Sequence, residues 1–371
     1  MKRILLIFIV RVVFLLGIAA LAIQFIPYKG FFPYRDTLPL YRLPRIIYSF
    51  ANFDGLHYLS IAKEGYHQYE QAFFPLYPIL IRFISPIFGG NYLTAGLIIS
   101  YISFFIGIYC IYRLAILFRR ELSPNWLLAF LLLFPTAFFT GAVYTEGLFF
   151  MLVTLSLYFL KKKNYIRAAI FSAFASATRL IGVGLFFPFL FMFPFRKHRA
   201  KSFLLLLSPF VGLFSYMLYL WKSTGDPLFF VNAQPAFGAS RSTQLIFLPQ
   251  VYFRYVKIFF TARFDFSYFI AIVESVFFTF AFVICIVELL LTLKKKDYFL
   301  ASLACFSLFN LLVPSLTGTF SSIPRYTLMS FSIFFYLSRL QNVATKTIIA
   351  IIFGAMQITL LSFFIQGYFV S

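Results

Sequence analysis

ILLIFIVRVVFLLGIAALAIQFI, residues 4–26, decides the fold class. As a helix, this stretch spans the ~30 Å hydrocarbon layer of a bilayer, which takes about 20 apolar residues. Its one charge is Arg11, which either snorkels to the surface or faces protein. Lys2-Arg3 stand in front of it, and Ala20-Leu21-Ala22 resembles a signal-peptidase site. The run is longer than a signal's apolar core, so it reads as an uncleaved first span.

The rest of the chain has the same character. Of 371 residues, 62% are hydrophobic and 12% charged, and the mean hydropathy is +0.90. A soluble domain is ~45–50% apolar and ~25% charged. This chain lacks the polar coat of a soluble enzyme, and it is neither disordered nor a secreted disulfide scaffold. Cys110, Cys285 and Cys305 all lie in apolar runs and form no metal-binding or disulfide pattern.

The net charge of +21 comes from 32 Lys+Arg against 11 Asp+Glu. In a soluble protein it would point to nucleic acid. Here the basic residues are gathered between apolar runs, the pattern of cytoplasmic loops, and no nucleic-acid partner is expected. The clusters are Lys2-Arg3, Arg119-Arg120, Lys161–Lys163 with Arg167, Arg196-Lys197-His198-Arg199 with Lys201, Lys294–Lys296, and Arg339 with Lys346.

Placing every cluster in the cytoplasm forces an even number of crossings between them. The path with that parity has about eleven spans, at 4–26, 91–118, 124–143, 147–161, 165–180, 181–195, 202–221, 267–291, 298–315, 325–338 and 347–369. The expected fold is therefore an all-α polytopic membrane protein, one integral membrane domain over residues 1–371, with its N-terminus in the cytoplasm. Residues 27–90 form a first extracytoplasmic loop whose proline-bearing stretch 73–88 is re-entrant or interfacial. Residues 222–266 form a second such loop. Asp36, Asp54, Glu64, Glu70, Glu146, Asp226 and Asp265 all fall on that one face.

Several segments carry chemistry on that face. Phe53–Lys63 reads as a short amphipathic helix ended by Gly65, with Asp54 at its start and His57 one turn on. Asp54 is either a cap for a helix lying on the membrane or a general base at an aqueous boundary. Ala72–Pro78 reads as a membrane-entry turn. Glu146 lies in a turn between two apolar stretches, and Arg179 is stranded in the same way. Two readings stand for them: a structural ion pair, or Arg179 binding an anionic headgroup.

Asp226-Pro227 opens the second loop as a turn and helix start, followed by Gln234. Arg254 and Lys257 sit one turn apart among aromatics, as in an interfacial helix. Arg325 stands at the mouth of a late span, Glu274 lies two turns inside another, and Glu288 is placed to neutralise Lys294–Lys296. No Walker A, HExxH or GxGxxG element occurs.

In this order, Asp54-Gly55-Leu56-His57-Tyr58, Ala72-Phe73-Phe74-Pro75-Leu76-Tyr77-Pro78, Tyr144-Thr145-Glu146, Ala177-Thr178-Arg179, Gly225-Asp226-Pro227-Leu228 with Gln234, and Pro324-Arg325-Tyr326 resemble the PIG-V family of mannosyltransferases. That family holds GPI mannosyltransferase 2 and bacterial relatives, and belongs to the GT-C glycosyltransferases. The resemblance runs from about Tyr48 to Tyr336, and Phe53 departs from the Trp that the family usually carries before its Asp.

The resemblance implies a GT-C-type bundle in a membrane with its site on the extracytoplasmic face; the compact chain without added domains leans to a bacterial plasma membrane. It implies a polyprenyl-phosphate-linked hexose, mannose by kinship, as donor and a glycan, glycolipid or protein as acceptor. Asp54 is the implied catalytic base; His57, Glu146, Arg179, Asp226, Gln234 and Arg325 are implied in substrate binding. Membrane lipid is the surrounding partner. No cofactor or metal is required, although a carboxylate pair such as Asp54 and Asp226 would suit a divalent ion. A lipid-linked-sugar flippase and a non-enzymatic assembly subunit are the competing classes.

Overall fold

The computed structural model describes residues 2–30, 32–118, 121–192, 199–238 and 241–370. Arg119-Arg120 and Arg196-Lys197-His198, two of the basic groups used for parity, lie outside the described residues. Among those described the regular structure is entirely helical: α1 Lys2–Phe25, α2 Arg45–Tyr48, α3 Asp54–Glu64, α4 Leu76–Ile84, α5 Tyr92–Ile116, α6 Pro124–Leu133, α7 Glu146–Lys161, α8 Tyr165–Thr178, α9 Phe186–Met192, α10 Arg199–Leu206, α11 Ser208–Thr224, α12 Phe229–Asn232, α13 Leu248–Thr261, α14 Phe266–Lys294, α15 Tyr298–Ser315, α16 Ile323–Thr327, α17 Phe331–Arg339 and α18 Val343–Ile365, with short 3-10 turns between them.

Five helices, α1, α5, α14, α15 and α18, are long and apolar enough to cross a membrane. That makes the chain a helical protein suited to membrane insertion. The other expected spans are shorter or divided, for local reasons. α6 stops at Leu133 because Phe134 precedes Pro135 and takes the extended backbone that a following proline demands (φ −54°, ψ 136°). A 3-10 segment, Ala137–Gly141, completes that stretch. Residues 181–195 hold a 3-10 turn and the short α9, and 202–221 divides near Leu207, ahead of Pro209. Residues 325–338 split into α16 and α17.

The stretch 73–88 is a short helix with Ile79, Phe83 and Ile87 exposed, in keeping with an element that does not span. Asparagine and aspartate set the helix starts. Asn91, Asn164, Asp265, Asp297 and Asn342 each accept a hydrogen bond from the backbone N–H three residues on, at the heads of α5, α8, α14, α15 and α18.

The bundle sorts its helix ends. α7 and α8 are joined by a tight turn and pack together, and α14 and α15 do the same. α1 and α18 finish side by side: Gln366 Nε2 donates to Ala22 O at 2.6 Å, and Lys29 N donates to Gln366 O at 2.9 Å. Lys161–Lys163, Lys294–Lys296 and Arg339 follow the C-termini of α7, α14 and α17. The start of α7, the end of α8 and the end of α18 lie away from them, beside α3.

Small residues let these ends close up. A Cβ on Gly147 would stand 2.6 Å from Ser100 O and 2.7 Å from Thr140 O. The start of α7 therefore presses directly on the backbone of α5 and of the 3-10 turn. Gly147→Ala is expected to destabilise by about 1–3 kcal/mol through overpacking against rigid carbonyls. Thermal unfolding in detergent reads this as a lower midpoint, while Gly17→Ala, where the added methyl meets nothing within 4 Å, leaves the midpoint unchanged.

Candidate functional site

The start of α3 is fastened from three sides. Asn52 is buried and donates through Nδ2 to Phe364 O at 2.8 Å. Its own carbonyl accepts from the Tyr144 hydroxyl at 2.7 Å, and Val143 N donates to Phe50 O at 3.0 Å. Gly55 permits this approach, since a Cβ there would lie 3.2 Å from Val143 O. Between them, Phe53 takes φ 59°, ψ −117°, held among Phe32, Phe364 and Phe369. A bulky residue in such a conformation costs ~1–3 kcal/mol and persists only where its surroundings over-determine it. That strained residue aims the next side chain, Asp54.

Asp54 faces a chain of alternating charges. Arg325 Nη1 donates to Asp54 Oδ2 at 2.7 Å, and Arg325 Nε donates to Glu146 Oε1 at 3.0 Å. Arg179 Nη1 donates to the same Glu146 oxygen at 2.6 Å. Glu146 is fully buried, and Arg179 and Arg325 are buried; the Asp54 side chain keeps 24% of its surface exposed. Two carboxylates and two guanidiniums thus cancel, with Asp54 as the end open to solvent.

Aromatic rings wall the cations. Arg325 lies 4.9 Å from the Tyr144 ring centre and 5.0 Å from that of Phe139, and Arg179 lies 4.7 Å from that of Tyr326. Glu146 Oε2 is buried without a hydrogen-bond partner among the described residues. Such orphan groups are expensive unless a ligand or water satisfies them.

Burial alone would raise the Asp54 carboxyl. The charge and hydrogen bond of Arg325, helped by His57 and Arg241, outweigh it and hold the carboxyl below the usual aspartate range. Asp54 is therefore a carboxylate at neutral pH.

The other expected site residues sort as follows. His57 does not bond to Asp54: its Nδ1 lies 3.0 Å from Glu70 Oε1, and its ring stacks on Phe73 at 5.1 Å. Glu70 also accepts from His67 N through Oε2 at 3.0 Å. Asp226 stays within its own turn, accepting from Leu228 N at 2.8 Å and Asn232 Nδ2 at 2.7 Å. Gln234 accepts from Arg241 Nη1 at 3.0 Å. Among the described residues no group of three or more His, Cys, Asp or Glu is arranged to hold a metal ion.

Glu288 pairs with Arg339 rather than with Lys294–Lys296, because α14 and α17 pack against each other. Glu274 is buried and accepts from the Tyr255 hydroxyl at 2.5 Å. Arg254 donates to Gly318 O at 2.9 Å instead of standing free. Phe253, Val256 and Phe260 line the exposed side of α13, as an interfacial helix requires.

Two residues escaped the sequence reading. Glu70, the partner of His57, was legible only as an acid two residues before Ala72-Phe73-Phe74-Pro75. Arg241 lies within electrostatic reach of both Asp54 and Glu274, and among the described residues no carboxylate stands within ion-pair distance of it. Nothing in its own stretch, Ser240-Arg241-Ser242, distinguishes it from a solvated loop arginine.

Compared with known protein families, curated proteins and solved structures, the chain matches none.

Arg325→Met removes the cation that both carboxylates share. Asp54 is then left with burial as its dominant influence, and its carboxyl rises; the carboxyl infrared band, assigned by subtraction of Asp54→Asn, appears at higher pH than in the wild type. The sign for stability follows. A carboxyl depressed by folding contributes stability above its unfolded value of about 3.9, and loses it as pH falls through the lower folded value. Arg325→Met is expected to cost ~3–5 kcal/mol in unfolding measurements at neutral pH, as for any buried pair broken on one side.

Proposed function

We propose that the chain is an inverting glycosyltransferase of GT-C type, moving a hexose, mannose by its resemblance, from a polyprenyl-phosphate carrier to an acceptor hydroxyl. One observation carries this reading: a partly exposed carboxylate, Asp54, is locked in place by Arg325 and Glu146 at one end of an apolar helical bundle. A structural ion pair alone has no need of an open end or of a strained residue behind it. In this reading the basic helix ends face the cytoplasm of a bacterial cell, following the bias of basic residues to that side, and Asp54 at the other end faces the extracytoplasmic side. The shorter helices complete the crossings, to about eleven.

In the proposed reaction the acceptor oxygen attacks the anomeric carbon from the side opposite the phosphate. The new C–O bond forms as the bond to the phosphate oxygen breaks, and that oxygen keeps the bonding electrons. The acceptor proton passes to Asp54 Oδ1 or Oδ2. A carboxylate held low by Arg325 is a weak base toward a resting hydroxyl. It becomes adequate once bond formation has made that hydroxyl acidic.

Arg179 and Arg325 are both committed to Glu146 and Asp54. They fix the base, and Arg241 is the cation left over to meet the departing phosphate. Gln234 serves by holding Arg241. The unpaired Glu146 Oε2 is an acceptor for a hydroxyl of the donor sugar. Asp226 has a turn-forming part.

The test is turnover of a short-chain polyprenyl-phosphate mannose by protein purified in nanodiscs. Asp54→Asn is expected to reduce release of free polyprenyl phosphate by ~10²–10⁴-fold, with the unfolding midpoint retained. Transfer by Asp54→Asn within a few-fold of wild type removes Asp54 from the mechanism. Movement of intact donor across vesicles, without cleavage, replaces the transferase with a flippase.

A further inference from the structure

A concavity lies along α3 with His57, one turn from Asp54, in its lining. It has a volume of about 750 Å3, within the range of small-molecule sites. Its floor is one face of α3, where His57, Ser60, Lys63 and Glu64 follow at helical spacing. Tyr34 and Tyr41, from the segment before α2, form one wall, with Tyr34 edge-on to the His57 ring at 6.1 Å, and Gly89–Tyr92 line the cleft from the turn into α5. His57 belongs to this cleft and stands one helical turn from Asp54.

The cleft's charges are mostly spent on one another. Lys63 Nζ is 3.0 Å from Glu64 Oε1, His67 Nε2 is 3.1 Å from Glu64 Oε2, and His57 meets Glu70. Arg42 alone has no carboxylate within ion-pair distance among the described residues. A metal ion finds no uncommitted pair of carboxylates here. A phosphate finds one cation, Arg42, that no carboxylate already holds, and Lys63 only in competition with Glu64.

What remains is a lining of hydroxyl and amide groups, Ser60, Thr37 and Gln68, beside the rings of Tyr34, Tyr41 and Tyr92 and three leucines. A neutral ring compound rich in hydroxyls matches that lining. Its C–H faces lie on the tyrosines, and its hydroxyls meet the polar side chains.

The backbone is shaped for this wall at some expense. Tyr34 and Arg42 both take positive φ, 63° and 55°. Bulky residues pay for that conformation, and strain of this kind gathers at ligand-binding sites.

We propose that this cleft binds a neutral glycan, the acceptor, laid along α3 with its terminal hydroxyl passing His57 to reach Asp54. The direction of the acceptor rests on the transfer reading; the binding of sugar does not. His57, fixed by Glu70 and flat against Phe73, is then a positioning residue at the junction of cleft and charge chain.

The experiment uses the full chain in nanodiscs without donor, probed by saturation-transfer NMR with methyl α-mannoside, α-linked mannobiose and mannose 6-phosphate. Wild type is expected to transfer saturation to the ring protons of mannobiose. Ser60→Trp, which fills the floor, is expected to abolish it. Tyr34→Asn, which keeps a residue tolerant of positive φ while removing the ring, is expected to weaken binding at least tenfold. If Ser60→Trp unfolds, Tyr34→Asn decides.

The proposal is overturned by equal transfer from wild type, Ser60→Trp and Tyr34→Asn, by no transfer from wild type to either neutral sugar, or by transfer to the phosphorylated sugar alone. Donor cleavage separates the two claims. Sugar binding lost in the variants, with no donor cleavage by wild type, upholds the cleft and ends the transferase. Cleavage with no sugar binding does the reverse.

Discussion

Everything near the head of α3 depends on one sealed oxygen. Glu146 Oε1 accepts from Arg179 at 2.6 Å and from Arg325 at 3.0 Å, in surroundings with no solvent access. A lone carboxylate there would be prohibitively costly, and so would either arginine by itself. Together they tie the start of α7, the end of α8 and α16 into one unit. That unit leaves Arg325 with a second edge, and the second edge holds Asp54. The solvent-open end of this charge chain is thus set by a group that never meets solvent.

Position is then refined by packing instead of charge. Gly147 and Gly55 remove side chains where backbones must touch, Asn52 pins the turn before α3 to the end of α18, and Phe53 absorbs the resulting strain. These contacts are rigid, so the Asp54 carboxylate is presented by a fixed frame while its open side stays accessible. Such preorganisation is what electrostatic catalysis asks of a site. The cleft along α3 reaches His57, one turn from Asp54, so that one helix carries both the charged end and one face of the cleft.

Much of this was legible in the sequence, for physical reasons. Apolar runs such as 4–26 and 347–369 have one stable fate, and α1 and α18 follow. A carboxylate or an arginine alone in an apolar stretch must find a partner, which is why Glu146, Arg179 and Arg325 stood out and why they meet. Span lengths were less legible. Pro135 and Pro209 break segments whose composition reads as continuous, and parity counts apolar stretches without seeing where a helix stops. Partner choice across the fold was least legible. Glu288 turned to Arg339 instead of the lysines next to it in sequence, His57 turned to Glu70 instead of Asp54, and Arg241 had no local signature at all. These pairings are set by which helices pack together, which residue spacing does not encode.

The most direct measurement is an experimental density map of the protein in nanodiscs with a non-cleavable polyprenyl-phosphonate mannose. The phosphonate is expected against Arg241, with the anomeric carbon facing the open oxygen of Asp54 and the Glu146–Arg179–Arg325 unit intact behind them. A lipid headgroup bound elsewhere on the protein, with Asp54 and Arg325 closed on each other and no ligand density between α3 and Arg241, contradicts that arrangement.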